Sequence, residues 1–188
     1  MLSTTTTQIK TFCVSHPRRN LPDISSRRRG ESDFSRAFQR AFLSLEGSLG
    51  LGGHEFVMPG YGIADFVWAA PHARNSNGDG VHSHQAPATV TAFEMKLSDW
   101  RRALRQAYRY SYFSDRAIVV LPAKGGQSAK QALPLFKDLG IGLWVFKRDL
   151  GTISKVFTPR ARRPKNPAAR ERALEVLRRK FDLGGARK

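Results

Sequence analysis

Two residues in the stretch Thr91–Lys96, which reads T-A-F-E-M-K, carry charges in apolar company: Glu94 and Lys96. A strand sends alternate side chains to opposite faces, so a spacing of two places both on one face. Phe93, Met95 and Leu97 then point the other way, into a core. An acid and a lysine on a buried sheet are costly unless they bind something. A second carboxylate, Asp65, lies in the equally apolar stretch Ile63-Ala-Asp-Phe-Val-Trp68, whose alternation groups Ile63, Asp65 and Val67. Two acids able to hold a hard metal ion, with one lysine beside them, are the parts of a site that cleaves phosphodiesters.

The elements that must position these residues follow from hydrophobic periodicity. Phe34, Ala37, Phe38, Ala41, Phe42 and Leu45 recur at helical spacing, predicting a helix over 32–46 that Ser32 or Asp33 can cap. Glu46 falls at its last turn, on the edge of the apolar face. It is read either as a surface residue or as one held there to reach a metal. Short strands are expected at 54–58 and 63–69, joined by a Pro59-Gly60 turn. Residues 71–87 form a polar loop. Its His82-x-His84 lacks a cysteine or a third ligand at a metal-binding spacing, so it reads as loop chemistry.

After T-A-F-E-M-K, a helix over 99–112 places Trp100, Ala103, Leu104, Ala107, Tyr108 and Ser111 on one face. Arg101, Arg102, Arg105 and Arg109 form an opposite stripe with no acid among them. Ordinary solvated faces mix signs, so the stripe is a candidate phosphate-binding surface. Gln106 and Tyr110, four apart, share the flank between the two.

Buried strands are predicted at 117–121 and 141–146, with a helix over 127–139 that Pro134 delays or kinks. An edge strand is expected at 151–157 and a helix at 168–181, which either packs on the body or folds on binding. Tight links imply antiparallel pairing among the first strands, and strand–helix–strand crossovers imply parallel pairing later. The fold class is α/β: a mixed central sheet with helices on both faces.

A helix with an acid at its end, a hairpin strand with Asp65, then Glu94-x-Lys96 and a helix carrying Gln106-x-x-x-Tyr110: this order resembles the PD-(D/E)XK, or restriction-endonuclease-like, nucleases. The Gln/Tyr pair is similar to that of their RecB-type branch. The resemblance covers roughly Ser32 to Phe146. Ala64 stands where many members have proline, and the interval from Asp65 to Glu94 is long. The resemblance implies a restriction-endonuclease-like core and Mg²⁺-dependent DNA cleavage, with Mn²⁺ as a substitute. It implies Asp65, Glu94, the Met95 carbonyl and Glu46 as metal ligands. Lys96 would lower its own pKa and orient or deprotonate a water, and Gln106 and Tyr110 would brace the site.

Charge points to the same kind of partner. The 188-residue chain has a net charge of +17, yet residues 31–146 hold twelve Lys/Arg against ten acids. Residues 1–30 hold six against one, and residues 147–188 fourteen against four. Basic ends around a nearly neutral body favour a polyanion, chiefly nucleic acid and most readily DNA. On this reading 1–30 is a disordered basic tail, 31–158 the nuclease-like domain, and 159–188 a basic linker with a C-terminal helix. Its Ser/Arg-rich start is also compatible with an organelle-targeting segment, a lesser expectation than a cytoplasmic or nucleoid setting. No apolar run is long enough to cross a membrane. The single cysteine, Cys13, allows no internal disulfide. Enzymes that cut both strands of a duplex often pair two sites, so a homodimer or larger complex is a further expectation. The competing reading is a non-catalytic nucleic-acid-binding protein, or complex subunit, that keeps the fold and binds through its basic ends. No zinc-finger or helix-turn-helix signature supplies sequence specificity.

Overall fold

The computed structural model describes residues 11–13, 26–46, 50–71 and 88–185. Among the described residues seven strands form one sheet in strictly sequential order. They are β1 (Thr11–Cys13), β2 (Leu51–Met58), β3 (Gly62–Pro71), β4 (Ala88–Met95), β5 (Arg116–Pro122), β6 (Gly142–Lys147) and β7 (Thr152–Phe157). β2, β3 and β4 make an antiparallel meander. β4, β5 and β6 are parallel, and β7 returns antiparallel along β6. This is the mixed α/β sheet expected from the sequence. β1 adds a parallel edge beside β2, with Thr11 opposite Gly52. The expected basic tail at 1–30 therefore contains a strand and, from Ser26, the start of a helix; its other residues lie outside the described ones.

Helix α1 (Ser26–Glu46) covers one face of the sheet. Phe34, Phe38 and Phe42, one turn apart, press onto Phe66, Phe93, Trp144 and Phe146. The Phe42 and Phe93 ring centroids are 5.1 Å apart, and those of Phe38 and Phe93 5.4 Å. Leu45, expected on this face, is instead exposed. The other face is covered by α2 (Trp100–Tyr110), α3 (Ala123–Gln131), α4 (Leu133–Leu139) and α5 (Pro167–Gly185).

The helix expected over 127–139 is two helices. The chain breaks at Ala132, and Pro134 lies in the first turn of α4, where a missing N–H costs nothing. Gly140 ends α4 at φ +66°, a left-handed cap suited to glycine. Helix α5 joins the main core: Ala169, Ala173, Leu174 and Leu177 are buried in it. The strap leading to it is pinned by backbone bonds from Arg162 to Asp115, Lys165 to Ser111 and Asn166 to Tyr112. Among the described residues no helix is long and apolar enough to cross a membrane.

Candidate active site

Register brings Asp65 and Glu94 together. The β3–β4 ladder runs from Pro71 opposite Ala88 to Phe66 opposite Phe93. The next position would set Asp65 opposite Glu94. There the strands part, and the Asp65 Oδ2 accepts the Met95 N–H at 2.6 Å. A side chain replaces the backbone rung, and a gap opens between two strands at the acids. On the far side of β3, the β2–β3 ladder also skips this level: Glu55, the position opposite Asp65, has φ +48°. A non-glycine residue in the left-handed region is strained, and such strain gathers at functional sites.

Glu94 is fully buried, on the face of β4 away from Phe93 and Met95. Lys96, just past the strand end, lies 2.8 Å from the Glu94 Oε1 and donates to the Met95 carbonyl at 3.2 Å. The Glu94 Oε1 is an ion-pair partner of that ammonium without an aligned hydrogen bond. Helix α2 enters through its Asp99 cap, whose Oδ1 accepts the Arg102 N–H at 3.0 Å. It delivers Tyr110, whose hydroxyl is 2.6 Å from both the Ile63 carbonyl and the Glu94 Oε2. Tyr110 is fully buried. Tyr108, expected on the apolar face, is only half-buried, with Lys165 3.7 Å from its ring centroid. Gln106 lies on the same flank as Tyr110, and its Oε1 is buried without a hydrogen bond.

The electrostatics are those of crowded acids. Burial, then the charge of Glu94, pushes Asp65 up to about 8, against the partial relief of Lys96 and the Met95 N–H. Burial also raises Glu94, although Lys96 and Tyr110 oppose it. Burial pushes Tyr110 well above the usual phenol range, helped by Glu94. Burial works to lower Lys96, but Asp65 and Glu94 outweigh it, and the net shift is upward. Without a bound cation the two carboxylates turn the shift upward, the reverse of the lowering expected for this lysine beside a metal.

Glu46 is not brought to this site. It is partly exposed at the far end of α1 and pairs with Lys155 at 3.1 Å. The acid of α1 that does act here is Glu31, whose negative charge raises Asp65, Glu94 and Lys96 alike. Fifteen residues at 1.5 Å each put the two acids roughly 22 Å apart. Gly30 allows the approach: a Cβ there would stand 3.3 Å from the Leu97 Cδ1, just beyond Lys96. Sequence reading missed Glu31 because the Ser26–Gly30 turn has no apolar periodicity, and periodicity alone starts the helix after it. Arg101, Arg102, Arg105 and Arg109 are all exposed on α2, as the stripe required. Residues 72–87, including His82 and His84, lie outside the described residues.

The donors at the site are all oxygens, as a hard divalent cation prefers. Asp65, Glu94 and the Met95 carbonyl supply oxygens that fit such an ion, because the two acids repel each other. Among the described residues no three carboxylate, imidazole or thiol groups converge as a cage, so the carbonyl would be needed. No protein-family model matches the chain, and no curated protein is significantly similar to it.

The crowding of acids has a measurable consequence. Asp65 titrates near 3.8 when unfolded and near 8 when folded. Between those values the folded protein holds a proton that the unfolded chain releases. Metal-free stability should therefore fall as pH rises from about 4 to about 8, by at most about 1.4 kcal/mol per pH unit for one proton. Urea melts in EDTA across this window read the slope, and Asp65→Asn should flatten it. An unchanged slope in the variant would contradict the placement of Asp65 among these charges.

Proposed function

We propose that the chain is a divalent-metal-dependent endonuclease that hydrolyses phosphodiester bonds of nucleic acid, most readily DNA. The observation that carries this reading is the pairing of Asp65 and Glu94 across parted strands, with Lys96 against Glu94. An inert ion pair needs one acid per lysine. A second, partly buried acid, pushed up to about 8, opposes folding at neutral pH until a cation neutralises it. The order of motifs, which resembles the PD-(D/E)XK nucleases, supports the same conclusion.

Bound Mg²⁺ or Mn²⁺ would supply Lewis acidity at the phosphoryl oxygen and a water of lowered pKa. Asp65, Glu94 and the Met95 carbonyl would hold it. Tyr110 fixes the Glu94 carboxyl group through the Oε2 and ties it to the β3 backbone at Ile63. Lys96, as an ammonium, donates to a phosphoryl oxygen or orients the attacking water and offsets developing negative charge. It does not take the proton while both acids are charged. Arg102, Arg105 and Arg109 hold flanking phosphates.

One feature favours the competing, non-catalytic reading: Lys96 already neutralises Glu94 and occupies the Met95 carbonyl. Plasmid nicking separates the two. Wild type should cut supercoiled DNA with Mg²⁺ or Mn²⁺ and stop in EDTA. Asp65→Ala and Lys96→Ala should lose cutting and keep salt-sensitive binding. Binding without cutting by wild type establishes the competing reading, and cutting that survives EDTA removes the metal mechanism.

A further inference from the structure

Helix α2 has a second functional flank. Between it and α4 runs an open groove of about 390 Å³. Trp100, Leu104 and Tyr108 line it from α2, Leu135 and Leu139 from α4, and Arg101 and Arg105 add positive charge. Leu135 and Leu139 are 44% and 36% exposed, so their apolar surface is available to a ligand. Four residues apart on a helix, they share one face. The Arg101 guanidinium lies over the Trp100 ring, 4.4 Å from its centroid. A guanidinium over an indole face can present its outer side to a further flat π system.

The position of the groove matters as much as its lining. At about 100° per residue, Trp100, Leu104 and Tyr108 lie roughly opposite Gln106 and Tyr110 around α2. Arg102, Arg105 and Arg109 occupy the crest between these flanks. The helix therefore has the acid site on one side, the apolar groove on the other, and a row of cations joining them. The groove has the size of a small-molecule cleft.

We propose that this groove receives unpaired bases of a single-stranded nucleic acid whose phosphates cross the arginine crest. Apolar and aromatic walls accept bases of any sequence, and the cations accept the backbone. The continuation of that strand to the Asp65–Glu94 site rests on the nuclease reading; the base-binding groove does not. A strand that leaves a duplex as a flap or end has the required form, and an intact duplex, whose bases are stacked inside, does not.

The test is fluorescence anisotropy in EDTA with a short labelled single strand and with the duplex of the same sequence. Leu135→Gln/Leu139→Gln alters two exposed side chains without adding charge. It should weaken single-strand binding about tenfold and leave duplex binding and the salt slope unchanged. Arg101→Gln/Arg105→Gln should reduce the single-strand salt slope by about 0.7 for each phosphate that is no longer neutralised. Equal losses on both nucleic acids, or none on either, overturn the proposal; the second result leaves the groove to a partner such as an acidic amphipathic helix. If wild type cuts nothing with metal, yet the leucine variant still loses single-strand binding, the nuclease reading fails and the groove assignment stands.

Discussion

Glutamine in place of Glu94 is expected to abolish the proposed metal-dependent cleavage while leaving the fold as stable as before, or more so. One proton decides this outcome. The Tyr110 hydroxyl is 2.6 Å from the Ile63 carbonyl and 2.6 Å from the Glu94 Oε2. A phenol has a single O–H to donate, and a carbonyl can only accept. One of the two pairs therefore lacks a proton while Glu94 is charged. A glutamine amide supplies that donor at every pH, and its oxygen can face Lys96 as the Glu94 Oε1 does now. The Glu94→Gln protein should match or exceed wild type in urea midpoint at pH 7. It should also lose more than about a thousandfold in cleavage rate, because a neutral amide is a poor partner for a hard dication. Tyr110→Phe should do the reverse in stability. It removes the hydroxyl partner of the Ile63 carbonyl and of the buried Glu94 carboxyl group and should cost about 1–3 kcal/mol. A Glu94→Gln protein that cuts within tenfold of wild type would remove Glu94 from the chemistry.

The strand-borne charges were legible because a period of two leaves little choice. With Phe93 and Met95 committed to the core under α1, Glu94 had to face the other way, with Asp65 on the neighbouring strand. The antiparallel meander and the parallel crossovers followed from link lengths. What was not legible depended on how elements cross in space. Glu31 and Glu46 flank the apolar run of α1, and only the direction in which α1 crosses the sheet decides which adds its charge to the Lys96 site. The sign of the Lys96 shift is likewise tertiary. Desolvation alone predicts a lowered pKa, and it takes both carboxylates at close range to reverse it. Tyr108 and Tyr110 are two apart on α2, and the buried face runs through Ala103, Ala107 and Tyr110, so the second is buried and the first lies at its edge. The C-terminal helix was ambiguous for a similar reason: the partners of Asn166 and Arg170 lie 105 and 55 residues away in sequence.

The Arg170 pairing yields a large expected effect on stability. Arg170→Ala should destabilise the whole domain by about 2–3 kcal/mol and lower its Tm by about 5–10 °C. Arg170 reaches from α5 to Asp115 at 3.0 Å and also donates to the Ala88 carbonyl at the start of β4. Asp115 in turn accepts the Val90 N–H at 2.7 Å, while its own N–H donates to the Val90 carbonyl at 2.8 Å. Arg170 and Asp115 are 19% and 12% exposed, so removing the cation leaves a mostly buried carboxylate without its charge partner. The partial exposure places the cost below the 3–5 kcal/mol of a fully buried pair. Lysine should rescue poorly, since one ammonium cannot span a carboxylate and a carbonyl as a guanidinium does. Calorimetry of Arg170→Ala, Asp115→Ala and the double variant should show coupling, with the double variant losing less than the sum of the singles. Additive losses would mean that the pair does not act as a unit. A purely nucleic-acid-binding α5 makes the opposite forecast: an unchanged Tm and weaker binding. Because this ion pair pins the beginning of β4 and Glu94 lies near its end, the variant should keep its cleavage rate well below its Tm and lose it only as the strand is released.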